Sequence, residues 1–158
     1  MRLPPVNKMP SLISHSPAET ESLGESWGRE AKPGLVIALS GDLGAGKTQL
    51  VKGIARGLGI TVRVHSPTFT LVNIYTGGRL TLYHLDLYRL ETPEQVLSSG
   101  IEEYLKPNGV TVIEWAERWF GNFQISNFKS PIAGPFRAVT IETLNETERR
   151  ISYEDPGA

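Results

Sequence analysis

Apolar residues run almost without interruption through Leu35-Val36-Ile37-Ala38-Leu39 and again through Val110-Thr111-Val112-Ile113. Short runs of that kind are the mark of strands buried on both faces. Between them the period changes. Leu50, Val51, Ile54, Ala55 and Leu58 recur at helical spacing and share one face, and Gly59 stands where a helix-ending glycine belongs. Upstream, Ser16-Pro17-Ala18-Glu19 is a helix start, with a Ser cap, Pro in the first turn and Glu three residues after the cap. That helix is expected to reach about Ala31 and to pack on one side only, because Ala18, Leu23, Trp27 and Ala31 are its sparse apolar residues. Pro33-Gly34 closes it.

The rest of the chain reads mostly as strands. Residues 11–14 and 61–64 fit short ones, and 69–75 is rich in β-branched and aromatic residues. Thr76-Gly77-Gly78 is a turn signal before a returning strand at 79–88, so this region predicts a β-hairpin. Residues 94–105 predict a helix interrupted near Gly100. Residues 121–135 are polar, with Gly and Pro, and predict a loop or insertion. Residues 138–144 and 150–153 predict antiparallel edge strands. The alternation of strands and helices implies one α/β domain over residues 11–158, with a mixed sheet. The first ten residues hold three prolines and no apolar core, so they are expected to be a disordered leader and not a signal peptide.

At the junction of the first buried run and the helix that follows lies Gly41-Asp42-Leu43-Gly44-Ala45-Gly46-Lys47-Thr48, which fits G-x-x-x-x-G-K-[ST]. Strand before and helix after is the context in which this pattern cradles phosphates. Glycines let backbone N–H groups turn inward around an anion, and the helix N-terminus adds unpaired donors and partial positive charge. Lys47 can reach the terminal phosphates, and the Thr48 hydroxyl can ligate Mg²⁺.

A phosphate loop binds a nucleotide, but hydrolysis also needs acids at the carboxyl ends of neighbouring strands. Asp86 ends 80–85, the position of a Walker B aspartate, and Glu114 ends 110–113. Each is a candidate to hold Mg²⁺ or orient water. The competing assignments are a solvated strand-end carboxylate for Asp86 and a surface pair with Arg118 for Glu114. Thr68, in Ser66-Pro67-Thr68-Phe69-Thr70, is either a γ-phosphate sensor or part of a turn that opens a strand. Asp42 either faces solvent or orients water. Trp115 is either core filler or a gate beside Glu114. His15, His65 and His84 show no ligand spacing and read as structural or exposed, and Tyr75, Tyr83 and Tyr88 read as packing residues.

Composition narrows the function classes. The 158 residues are 39% hydrophobic and 21% charged, as in ordinary globular domains. No apolar run approaches membrane-spanning length. There are no cysteines, which removes disulfides and thiolate metal sites and fits a cytoplasmic protein. The net charge is −1, with no cluster of Lys and Arg, which argues against a strong direct grip on nucleic acid. No N-K-x-D element follows the phosphate loop, so a guanine-specific enzyme is disfavoured. A small-molecule kinase would carry an Arg-bearing lid, which is not apparent, and a nucleotide-dependent binding switch with negligible hydrolysis is the other alternative.

Four segments together resemble the TsaE (YjeE) family, the ATPases of bacterial threonylcarbamoyladenosine tRNA modification. They are residues 41–48, Ser66-Pro67-Thr68-Phe69-Thr70-Leu71-Val72, His84-Leu85-Asp86-Leu87-Tyr88-Arg89-Leu90 and Ile113-Glu114-Trp115-Ala116-Glu117-Arg118. Thr20, Leu23 and Gly24 match the family's first helix, so the resemblance spans about two-thirds of the chain, from Ser16 to about Arg118. It implies a P-loop NTPase-like three-layer sandwich with a mixed, mainly parallel central sheet and a β-hairpin. It implies ATP on Asp42, Leu43, Gly44, Ala45, Gly46, Lys47, Thr48 and Gln49, with Pro17 near the adenine. It implies Mg²⁺ on Thr48 and Glu114, Asp86 as the Walker B acid, and Thr68 in a switch-like loop. Gln49 departs from the family, which commonly has a second Thr there, while Thr48 keeps the metal-binding hydroxyl. The partners implied are the TsaD and TsaB proteins. The tRNA would be held mainly by that complex, in keeping with the near-neutral charge, and the tRNAs concerned read codons starting with A.

Overall fold

The computed structural model describes residues 10–42, 44–121 and 130–156. The expected leader, Leu43 and most of the 121–135 segment therefore lie outside the described residues, Pro10 excepted. Twelve elements follow in chain order: β1 (Ser11–Ser14), α1 (Pro17–Glu30), β2 (Val36–Gly41), α2 (Lys47–Gly57), β3 (Val72–Tyr75), β4 (Leu82–Asp86), α3 (Pro93–Ser98), a 3-10 turn (Ile101–Leu105), β5 (Val110–Glu114), α4 (Glu117–Phe120), β6 (Phe136–Thr143) and β7 (Arg149–Glu154).

The strands form one seven-stranded sheet in the order β1-β7-β6-β2-β5-β4-β3. The four central strands, β6, β2, β5 and β4, are parallel, and the flanking pairs are antiparallel. The nearly continuous apolar runs are explained by what covers each face. Ile37 and Leu39 of β2 pack under α2 with Leu50, Ile54 and Leu58. Val36 and Ala38 face the opposite way, toward Val96, Ile101 and Ala116. Helices on both faces make the three layers expected, and the antiparallel β3–β4 pair is the expected hairpin.

Local endings follow their chemistry. The Ser16 hydroxyl accepts from Glu19 N at 3.1 Å, while the Glu19 carboxylate accepts from His15 N at 2.7 Å. The last turn of α2 closes with Gly59 N donating to Arg56 O and Ile60 N to Ala55 O, and Gly59 holds φ +82°, which a side chain would resist. Gly100, at φ +78°, separates α3 from the 3-10 turn, the interruption expected there.

Three expectations need correction. Residues 61–64 form no strand and are not part of the seven-stranded sheet. Residues 69–71 turn before β3 begins, with Leu71 N donating to Pro67 O and Leu71 at φ +67°. β6 is not an edge: it lies between β2 and β7, and the sheet's edges are β1 and β3.

The helix pair over the sheet differs from the sequence expectation most. Alongside Trp27, the buried positions of α1 are Thr20, Gly24 and Gly28. Gly24 and Gly28 face Gly53 and Gly57 of α2 with the two backbones nearly touching. A Cβ on Gly53 would stand 2.0 Å from Glu21 O, and one on Gly57 would stand 2.1 Å from Glu25 O. Arg56 pairs with Glu21 at 2.6 Å along the same seam. Gly53→Ala would gain about 1 kcal/mol in helix propensity. The overlap is with backbone, however, and overpacking of that kind costs about 1–3 kcal/mol or more. The expected net result is a loss of about 2 kcal/mol, seen as a melting temperature lower by about 5 °C. An unchanged melt would mean that the helices do not meet at backbone contact.

Candidate functional site

Parallel register builds the site. Asp86 pairs with Glu114 and Glu114 with Leu39, so the ends of β4, β5 and β2 stand side by side where the phosphate loop begins. Asp86 and Glu114 are both buried although charged. Buried carboxylates require hydrogen-bond partners, and both have them. Asp86 Oδ2 accepts from Thr68 Oγ1 at 3.0 Å and from Ser66 Oγ at 3.1 Å, and Oδ1 accepts from Tyr88 N at 2.8 Å. Glu114 accepts from the Thr48 hydroxyl at 3.0 Å and lies 2.5 Å from His84 Nε2. Facing a carboxylate, that ring nitrogen carries the proton. Burial and the Thr68–Asp86 and Thr48–Glu114 contacts exclude the surface assignments of the two acids. Neither acid is a solvated surface group, and Glu114 is turned toward the loop.

In the loop, Gly44 and Gly46 have φ of +81° and +100°, with open space where a Cβ would be. What requires glycine there is backbone angle and not room. Gly46 precedes α2 without a side-chain cap, which leaves the helix's first N–H groups aimed into the loop. The Lys47 ammonium folds back on the loop, donating to Gly41 O and to Asp42 O, the latter at 2.9 Å. It also stands 4.0 Å from the centre of the Trp115 ring. Burial lowers its pKa below the ordinary lysine value, and the surrounding carboxylates, Glu114 first, oppose that shift. Trp115 has φ +58°, rare for a bulky residue, and this turns its indole off the line of β5 and over the lysine. Tyr88 packs on its ring at 5.0 Å.

Together these groups line a cleft of about 360 Å³ that includes Thr48, Thr68, Asp86, Glu114 and Trp115. A second cleft of about 150 Å³ opens on the other side of the loop, between Pro17, Gln49, Thr147 and Arg149. Gly44, Gly46 and Gln49 line both clefts. Ala45 is buried and Asp42 is exposed, while the Asp42 carbonyl accepts from Lys47. Among the described residues, no group of three or more His, Cys, Asp or Glu is placed to cage a metal. A hydroxyl and one or two carboxylates beside a phosphate loop do fit Mg²⁺, which keeps waters and takes its other ligands from phosphate oxygens.

Sequence reasoning missed His84, Tyr88, Ser66 and Arg149. His84 stands two residues before Asp86 on the same strand, which puts both side chains on one face, so a period-2 reading would have found it. Arg149 carries no local signal, since the β6–β7 hairpin brings it to the loop from more than a hundred residues away.

Comparison with known proteins agrees with the geometry. The profile of the family described as "Threonylcarbamoyl adenosine biosynthesis protein TsaE" matches residues 14–151. The tRNA threonylcarbamoyladenosine biosynthesis protein TsaE of Nostoc sp. is 49% identical over 117 residues, 72% of either chain. The protein of the same name from Rickettsia felis is 36% identical over 142 residues, 89% of this chain and 77% of that one. A crystal structure of Bacillus subtilis YdiB superposes with a TM-score of 0.74 at 35% identity, covering 95% of this chain and 87% of that one. No helix among the described residues is long and apolar enough to cross a membrane. With its phosphate loop, its two strand-end acids and a family match running from β1 to β7, the chain belongs to the TsaE family of threonylcarbamoyladenosine biosynthesis proteins.

Proposed function

We propose that this chain is a Mg²⁺-dependent ATPase that works in the cytoplasm with the TsaD and TsaB proteins and is required for threonylcarbamoyladenosine modification of tRNA. The observation that carries the reading is the convergence on one cleft of the Thr48 hydroxyl on Glu114 and the Thr68 hydroxyl on Asp86. Family membership supplies the pathway, and the near-neutral charge leaves tRNA binding mainly to the partners.

In this reading the loop N–H groups and Lys47 hold the phosphates, while Thr48 and Glu114 would hold Mg²⁺. When bound there, Mg²⁺ would supply neutralisation of phosphate charge. His84 keeps one carboxylate oxygen of Glu114 engaged, which fixes the direction of the other. Asp86 is restrained by three donors, so it can accept a bond from an attacking water without moving. Thr68 bonds the same acid from the loop between α2 and β3, where it would sense the γ-phosphate.

The test is ATP and GTP turnover by the purified chain, with and without a reconstituted TsaD–TsaB complex, and modified adenosine formed in tRNA. ATP is expected to be turned over in preference to GTP, faster with the complex present, and modification is expected to need this chain. Equal use of the two nucleotides, or full modification without this chain, would overturn the reading. Phosphate transfer to a small acceptor would favour a kinase, and tight binding without turnover a switch.

A further inference from the structure

The β6–β7 hairpin belongs to none of the four motifs, yet its first residue on the return strand reaches the phosphate loop. Arg149 Nε donates to Ala45 O at 3.2 Å and Nη2 lies 3.4 Å from Gly44 O. The rest of the fork faces the other way. Nη1 donates to Asn145 O at 2.7 Å and to Glu148 O at 3.0 Å. One planar group thus ties two successive loop carbonyls to the hairpin turn. The turn is itself rigid, because Asn145 Oδ1 accepts from Thr147 N at 3.0 Å and from Glu148 N at 2.9 Å. His15 Nε2 at 3.5 Å from Glu148 joins the turn to the start of α1.

A peptide whose carbonyl is held on one side presents its N–H on the other, since the unit is planar and trans. Pinning the carbonyls of Gly44 and Ala45 outward therefore turns the Ala45 N–H onto Asp42 O, to which it donates at 3.0 Å, and the Gly46 N–H toward the loop's interior. Gly44 needs this restraint more than most residues, because glycine has the widest choice of backbone angles. A chain of flexible glycines binds an anion weakly unless something selects its concave form beforehand.

We propose that Arg149 is a positioning residue: it holds the phosphate loop in its anion-binding form before any nucleotide arrives. The proposal rests on the phosphate-binding reading above. The guanidinium works through its fork, four contacts from one plane, and not through its charge alone.

Three variants test it in the full chain: Arg149→Met, Arg149→Lys and Lys47→Ala. The readouts are affinity for a fluorescent ADP analogue well below the melting temperature, hydrogen exchange of the peptide spanning the loop, and ATP turnover at saturation with the TsaD–TsaB complex. If the loop without its anchor is competent about a tenth of the time, Arg149→Met weakens binding about tenfold. Loop exchange should speed up without nucleotide, and turnover at saturating ATP should stay within about twofold, because the bound loop is again in its working form. Arg149→Lys should recover little, since an ammonium cannot span the four carbonyls. Wild-type affinity in Arg149→Lys would show that charge alone matters and overturn the proposal. Unchanged affinity and loop exchange in Arg149→Met would overturn it too, even if the melting temperature fell. Lys47→Ala separates the premises: if that folded variant keeps its affinity, the phosphate-binding reading fails, whatever Arg149 does.

Discussion

Asp86→Asn and Glu114→Gln are each expected to lose at least about a hundredfold in ATP turnover while ATP affinity stays within about tenfold. Both acids end adjacent parallel strands, are buried, and receive hydroxyl hydrogen bonds from opposite sides of one cleft. Holding a metal or steering water matters most where charge develops, in the transition state, so kcat should fall further than affinity. The two variants differ in their second effect. An amide oxygen is a poorer ligand than a carboxylate for a hard cation, so Glu114→Gln should also need more Mg²⁺ for half-maximal rate. Asp86→Asn should leave that requirement nearer wild type and weaken the hold on Thr68 and Ser66. Turnover measured with the TsaD–TsaB complex across a Mg²⁺ titration checks both. Normal rates in both folded variants would move the chemistry elsewhere.

The acids were legible in the sequence because their signal is local: an apolar run buried on both faces can end in an acid only where that acid is used or solvated. Lys47, Thr48 and the glycines are equally local, since their spacing is their mechanism. Four features could not be read in that way. The α1–α2 seam is made of Gly24, Gly28, Gly53 and Gly57, which apolar periodicity scores as gaps, whereas backbone contact makes them the interface. The position of β6 inside the sheet depends on which strand crosses to which side of β2, a long-range choice that antiparallel β6–β7 pairing does not reveal. The reach of Arg149 onto the loop follows from that same crossing. The left-handed backbone of Trp115 has no sequence signal either, since large residues seldom adopt it. Its outcome is an indole that packs against the core and lies over Lys47.

Lys47→Ala is expected to weaken ATP binding about tenfold to a hundredfold, as befits loss of a charge-assisted hydrogen bond worth about 1.5–3 kcal/mol. The resting contacts of the lysine set the size of the effect. Its ammonium already donates to Gly41 O and Asp42 O and lies on the Trp115 ring, so phosphate must replace good partners and not water. The gain on binding is therefore smaller than for a solvated lysine swung in from outside. It remains favourable because phosphate is the only one of these partners that carries a full negative charge. The same site sets a pH dependence. Burial lowers the Lys47 pKa, so without nucleotide the charge is lost at a lower pH than on an exposed lysine. Phosphate binds the charged form, so affinity should decline as pH rises through the lowered pKa, and Lys47→Ala should abolish that part of the profile. Stability runs the other way. A lysine whose folded pKa lies below its unfolded value binds fewer protons when folded, so its burial cost falls as pH rises through that interval. Titrating a fluorescent ADP analogue from neutral to alkaline pH, in wild type and in Lys47→Ala, measures the affinity claim, and urea unfolding of both proteins over the same range measures the stability claim. A wild-type affinity that is flat across that range would place the Lys47 ammonium outside the binding step.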